Sequence, residues 1–182
     1  MIENPIKSFP LMINNELIIR IQTLTQDYYS SNKKYAILNK NQKLDCSNFI
    51  WNNITPSNIL IDSTIFIDEN KIYVYYPLFK LYANPDIYDL IINYTTECIL
   101  KIIEEYGIYE FHINIDGFTI SAGERYSQLI NMIILKLFNI NFSNYLDKMY
   151  IYNPPSVIEY LRPIFRNVIN NKSLMDKVVI MK

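Results

Sequence analysis

From residue 71 onward, short β-prone runs alternate with amphipathic stretches long enough to be helices, and this alternation constrains the fold more than any other feature. Ile72–Tyr76 is β-branched and aromatic, and Pro77 ends it. Asp86 to Glu105 then lays Ile87, Leu90, Ile91, Tyr94, Cys98, Ile102 and Ile103 along one broad apolar face. Gly107 follows, where a left-handed helix cap is cheap. Phe111–Ile115 reads as a second strand. Ser121-Ala122-Gly123-Glu124 reads as a capping box opening a helix to about Phe138. Met149–Tyr152 is a third strand, stopped by Asn153-Pro154-Pro155. Ser156–Glu159 is a second capping box, and the helix it opens reaches about Ile169 with a break at Pro163. Lys177–Met181 is a fourth strand. Crossovers of this length favour a mainly parallel sheet covered by helices, joined by right-handed connections. The expected fold class is α/β.

Residues 1–70 read as an irregular N-terminal region that packs on or extends the core formed by 71–182, giving one structural unit. Leu11–Tyr29 holds one amphipathic helix. Ser30–Asn53, rich in Asn, Lys and Ser, reads as loop with short strands. Ile59–Ile67 reads as an edge strand or hairpin partner, with Asp68–Asn70 as its turn.

Half of the residues are hydrophobic and 19% are charged, which describes a globular chain. There are 33 Ile and 22 Asn among 182 residues, the bias of an AT-rich genome such as that of a large DNA virus or a protist. Single Ile or Asn residues therefore carry little functional meaning. A net charge of -1 supplies no electrostatic case for nucleic acid. Cys46 and Cys98 follow no metal or redox spacing, so free thiols in a reducing compartment are expected. The start Met1-Ile2-Glu3-Asn4-Pro5 lacks signal-peptide character, and no run of about 18 apolar residues suggests a membrane span. The expectation is a cytoplasmic protein whose membrane contact, where it occurs, is peripheral.

Candidate chemistry is sparse. His112, the sole histidine, lies in a β-prone run, which favours a structural imidazole over a general base. The glycines at 107, 117 and 123 build neither a P-loop nor a dinucleotide fingerprint, and no Gly-x-Ser-x-Gly elbow occurs. Asp116 has no second carboxylate at useful spacing, so a turn role beside Gly117 is favoured. No cofactor, no metal and no catalysis are expected.

One arrangement of motifs is more specific. A strand ends in Ile115-Asp116-Gly117-Phe118, and a long helix follows. Asp147-Lys148-Met149-Tyr150-Ile151-Tyr152 then runs into Asn153-Pro154-Pro155, Ile164-Phe165-Arg166 comes next, and Lys177 leads an apolar strand. Over residues 71–182 this order resembles the CRAL-TRIO (Sec14-like) family. The resemblance implies a lipid or other hydrophobic molecule held between the sheet floor and mobile helices. It implies a gate after Pro155, with Val157, Ile158, Leu161, Ile164, Phe165 and Val168 facing the ligand and Lys177 near its polar end. The acidic partner that phosphatidylinositol-transferring members pair with that lysine falls at about Asn144, which is not acidic. Typical members also continue past the last strand, so a minimal version with a shallow pocket or none is expected. Arg162, Arg166 and Lys172 lie close to the gate in sequence and suit an anionic headgroup or an acidic membrane surface. The implied function is non-catalytic lipid binding, with transfer between membranes. The alternative is a protein-interaction or scaffold module whose partner is another protein or a second copy of the chain.

Overall fold

The computed structural model describes residues 9–10, 14–33, 40–139, 142–155 and 176–181. Among these residues five strands form one sheet in the order β1-β2-β3-β4-β5. β1 (Ile65–Asp68) and β2 (Lys71–Tyr75) make an antiparallel hairpin. β3 (Tyr109–Asn114), β4 (Leu146–Tyr152) and β5 (Val178–Met181) then add in parallel. The expectation of a mostly parallel α/β sheet covered by helices is met at this level.

Strict sequential order has a geometric consequence. Crossovers that always step the same way across a sheet, all right-handed, leave on the same face. Between β2 and β3 lie α4 (Tyr76–Tyr82), a short 3-10 turn (Pro85–Ile87) and α5 (Tyr88–Tyr106). Between β3 and β4 lie α6 (Ile120–Arg125), α7 (Ser127–Asn139) and α8 (Phe142–Tyr145). Tyr82, Ile91, Ile99, Ile102 and Leu129 from these helices share one core with Ile65, Ile72, Tyr109 and Leu146 of the strands. α1 (Asn15–Ser31) and α2 (Lys40–Asn53) join the same layer through Leu17, Ile21, Cys46 and Ile50, and α3 (Asn58–Asp62) through Leu60 and Ile61.

Local chemistry sets the element ends. Asn14 caps α1 by accepting from the Glu16 and Leu17 amides at 3.0 and 3.2 Å. Pro77 sits in the first turn of α4, where a missing amide hydrogen costs nothing, so it starts a helix as well as ending β2. Gly107 takes φ 78 and returns its amide to the Ile103 carbonyl, closing α5 as expected.

Several expectations are corrected. Lys40–Asn53 is helix, not loop. Two of its four buried residues are polar, Gln42 and Ser47, so no apolar stripe marks it. Their side chains bond the Lys33 and Lys43 carbonyls instead. Ile59–Asp62 is also helical, and the edge strand begins only at Ile65. The cap of α6 is Thr119, whose hydroxyl accepts from the Ala122 amide at 3.2 Å, while Ser121 lies inside the helix. The helix breaks at Tyr126 before α7 begins. The stretch 156–169, with the second capping box and Pro163, lies outside the described residues.

β4 carries an irregularity. Tyr109 opposes Leu146 and Phe111 opposes Met149, so two residues of β4 pass a single residue of β3. Lys177 donates its ammonium to the Leu146 carbonyl at this point.

A buried hydroxyl pair ties the hairpin to α4. Thr64 donates to the Leu60 carbonyl at 3.0 Å, and its oxygen meets the fully buried Tyr82 hydroxyl at 2.6 Å. Thr64→Val is expected to cost about 1–3 kcal/mol in urea unfolding, because Tyr82 is left unsatisfied. Adding Tyr82→Phe is expected to recover part of that loss. At Gly107 an added Cβ meets nothing within 4 Å, so the cost of Gly107→Ala is conformational alone. That variant is expected to lose about 1–2 kcal/mol, read as a lower urea midpoint at unchanged slope.

Candidate functional site

Period-two alternation gives the sheet two unlike faces. Toward the helices it presents Ile65, Ile67, Ile72, Val74, Ile113 and Ile151. Away from them runs a row of cross-strand partners, Phe66, Tyr73, His112, Tyr150 and Val179, one from each strand. Phe66 stacks on Tyr73 at 5.1 Å between centroids and His112 on Tyr150 at 4.6 Å, while Tyr73 and His112 meet at 4.7 Å with their planes tilted by 34°. A second row, Tyr75, Asn114, Tyr152 and Met181, lies nearer the carboxyl ends of the strands. Phe9 sits on this face with its ring 5.6, 5.8 and 5.3 Å from Tyr73, Tyr75 and Tyr152. Among the described residues this second cluster contains no helical side chain.

A polar chain runs through the aromatic stack. His112 Nε2 lies 2.9 Å from Glu110 Oε2, and Nδ1 lies 2.9 Å from the Tyr152 hydroxyl. An ionised Glu110 only accepts, so it selects the tautomer with hydrogen on Nε2. In the neutral imidazole Nδ1 then accepts the Tyr152 proton, an order that superficially resembles a nucleophile relay. Burial, with the neighbouring Tyr150 and Glu110, pushes the Tyr152 hydroxyl above its ordinary range. It therefore stays a neutral donor, the opposite of an activated nucleophile. The arrangement orders the stack and satisfies a buried imidazole.

At the carboxyl ends of the strands, Asn114 holds the turn that Asp116 was expected to hold. Its side-chain oxygen accepts from the Asp116 amide at 3.0 Å and from the Asn153 side chain at 3.3 Å. The Asp116 side chain is exposed. No group of metal-ligating side chains occurs among the described residues, and no described helix is long and apolar enough to cross a membrane. A shallow groove of about 230 Å³ lies between Asn41, Asp45 and Asn48 of α2 and Asn84–Asp86, away from the aromatic face.

Of the residues singled out from sequence, Lys177 stands just before β5 with its ammonium on the Leu146 carbonyl. Val157, Ile158, Leu161, Arg162, Ile164, Phe165, Arg166, Val168 and Lys172 lie outside the described residues. The aromatic face itself was missed. Its signal was present as alternation: Tyr73-x-Tyr75, Glu110-x-His112-x-Asn114 and Tyr150-x-Tyr152 each put aromatic or polar groups on the parity opposite the aliphatic ones.

Buried phenols make the fold sensitive to alkali. Burial raises Tyr73 from 10.0 to about 12, helped by Asp68 and other neighbours, and Tyr76, Tyr82, Tyr88 and Tyr109 are raised as well. Below pH 10.0 folded and unfolded chains hold the same phenolic protons. Above it the unfolded chain loses them first, so stability falls with rising pH, for Tyr73 between 10.0 and about 12. Tyrosinate absorbance and circular dichroism are expected to change together in one cooperative step, with onset at higher pH in Tyr73→Phe. No family model, curated protein or solved structure matches the chain.

Proposed function

We propose that the domain binds a lipid or another hydrophobic molecule without catalysis, against the aromatic face of its sheet. The observation that carries this reading is the segregation of the two faces. Helices cover the aliphatic face, whereas the opposite face offers stacked rings with a polar thread at their centre. Such a floor suits a ligand with apolar bulk, because binding sites are mostly apolar with a few placed polar groups. Phe9 indicates what fits there: one hydrophobic ring against three tyrosines. The CRAL-TRIO resemblance over residues 71–182 points the same way, since it implies a ligand lying on a sheet floor. Exchange with a membrane surface would deliver such a ligand, and no bond chemistry is required.

The test is native mass spectrometry after incubation with mixed cell lipids, followed by extraction. The wild type is expected to retain one apolar molecule per chain. Tyr75→Ser/Tyr150→Ser alters two half-buried rings of the face and is expected to retain less than a tenth as much while its circular dichroism is unchanged. Equal retention by this variant would remove the aromatic face as the site. No retained molecule, together with a dimer or a partner complex, would favour the protein-interaction module.

A further inference from the structure

Among the described residues the aromatic face carries one ring that does not come from a strand. Its cluster holds Phe9, Tyr73 and Tyr152, with Phe66, Tyr75, Tyr150 and Met181 packed beside them, and every member except Phe9 belongs to β1, β2, β4 or β5. The Phe9 ring is 8% exposed; it stacks on Tyr75 and meets Tyr73 and Tyr152 edge to face. Its backbone is not part of the sheet. Neither Phe9 nor Pro10 belongs to a helix or strand, and neither makes a backbone hydrogen bond to another described residue. Pro10 has no amide hydrogen to offer a strand, and it restricts Phe9 to extended backbone. Phe9 is held to this face by its ring.

The root of that attachment lies on the other side of the sheet. α1 starts at Asn15, six positions after Phe9, and places Leu17 and Ile21 in the helical core. Phe9 is therefore a ring on a short tether, and a tethered group competes at high effective concentration with any free molecule for the same place. A strand leaves a sheet only by breaking its ladder of hydrogen bonds. Phe9 leaves by giving up ring contacts alone, as segments that open locally do. Tyr75 and Tyr150, half-buried in the same cluster, offer an arriving apolar molecule its first contact. The seat under Phe9 is one ring wide. Since the Tyr152 proton there is given to His112, recognition at this seat is by apolar and ring contact.

We propose that Phe9 is a built-in competitor: it fills the ring subsite of the aromatic face until a ligand bringing a flat apolar ring of its own displaces it. This rests on the reading of the aromatic face as a hydrophobic-ligand site, and adds to it a ligand class and a threshold for binding. The apparent affinity of such a ligand is its intrinsic affinity multiplied by the fraction of chains in which the seat is open. Only molecules that hold the seat better than the tethered ring are retained.

The probe for the test is N-phenyl-1-naphthylamine, a neutral aromatic molecule whose fluorescence rises in apolar surroundings. Phe9→Ala is expected to bind it about tenfold more tightly than wild type, because the seat is then always open. Adding Tyr75→Ser/Tyr150→Ser to Phe9→Ala is expected to abolish that gain. A second readout uses the full chain with 4-fluorophenylalanine at position 9 and no other change. As the probe is added, its fluorine resonance is expected to move towards that of the urea-unfolded chain. Three results overturn the competitor and leave the hydrophobic-ligand reading standing: probe affinity that Phe9→Ala leaves equal or lowers, a gain that survives the two serine substitutions, or a fluorine resonance that stays in place while the probe binds. Binding by neither wild type nor Phe9→Ala overturns both.

Discussion

The handedness of the crossover connection is the constraint on which the rest of this structure depends. With strands in the order β1 to β5, each parallel connection steps in the same direction, and a right-handed path has one face available to it. α4 to α8 therefore compete for the same side of a five-stranded sheet. α1, α2 and α3 are drawn to that side as well, because the aliphatic parity of the strands already points there. Among the described residues the sheet is lopsided, with a thick helical layer on one face and rings on the other.

This asymmetry explains how the chain uses its sixteen tyrosines. In the helical layer Tyr82 satisfies its fully buried hydroxyl against Thr64. On the opposite face Tyr75 and Tyr150 are only half-buried, whereas Tyr73 is buried. Tyr152 joins the two regimes: it is buried, yet its hydroxyl is taken by His112. His112 is thus less a reactive group than a ring of the stack that also organises polar neighbours.

Much of the fold was legible in the sequence, because β2, β3, β4, β5 and α5 announce themselves by period and punctuation. The gaps have physical causes. α2 hides because Gln42 and Ser47 face inward and bond backbone carbonyls, so burial there is not written in apolar residues. α6 was given the wrong cap because two hydroxyl residues stand two positions apart, and either could open a helix by pattern; the contact of Thr119 with Ala122 decides. The candidate site was less legible than the fold. Cross-strand neighbours such as Tyr73, His112 and Tyr150 are brought together by register, which one sequence does not display.

The extra residue in β4 has a consequence for how this chain tolerates change. Leu146 and Met149 are three positions apart, an odd number, yet both pack toward the helices. An unbroken strand would send them to opposite faces. The irregularity acts as a phase correction, letting Leu146 stay in the core while Tyr150 and Tyr152 keep their places in the aromatic rows. Loss of either Asp147 or Lys148 from the gene would leave Leu146 and Met149 two positions apart, the spacing that an unbroken strand places on one face. The leucine would keep to the core and both tyrosines to the aromatic rows, so this strand can lose one codon here without exchanging its faces. The same loss between Met149 and Tyr152 would reverse one part of the strand against the other.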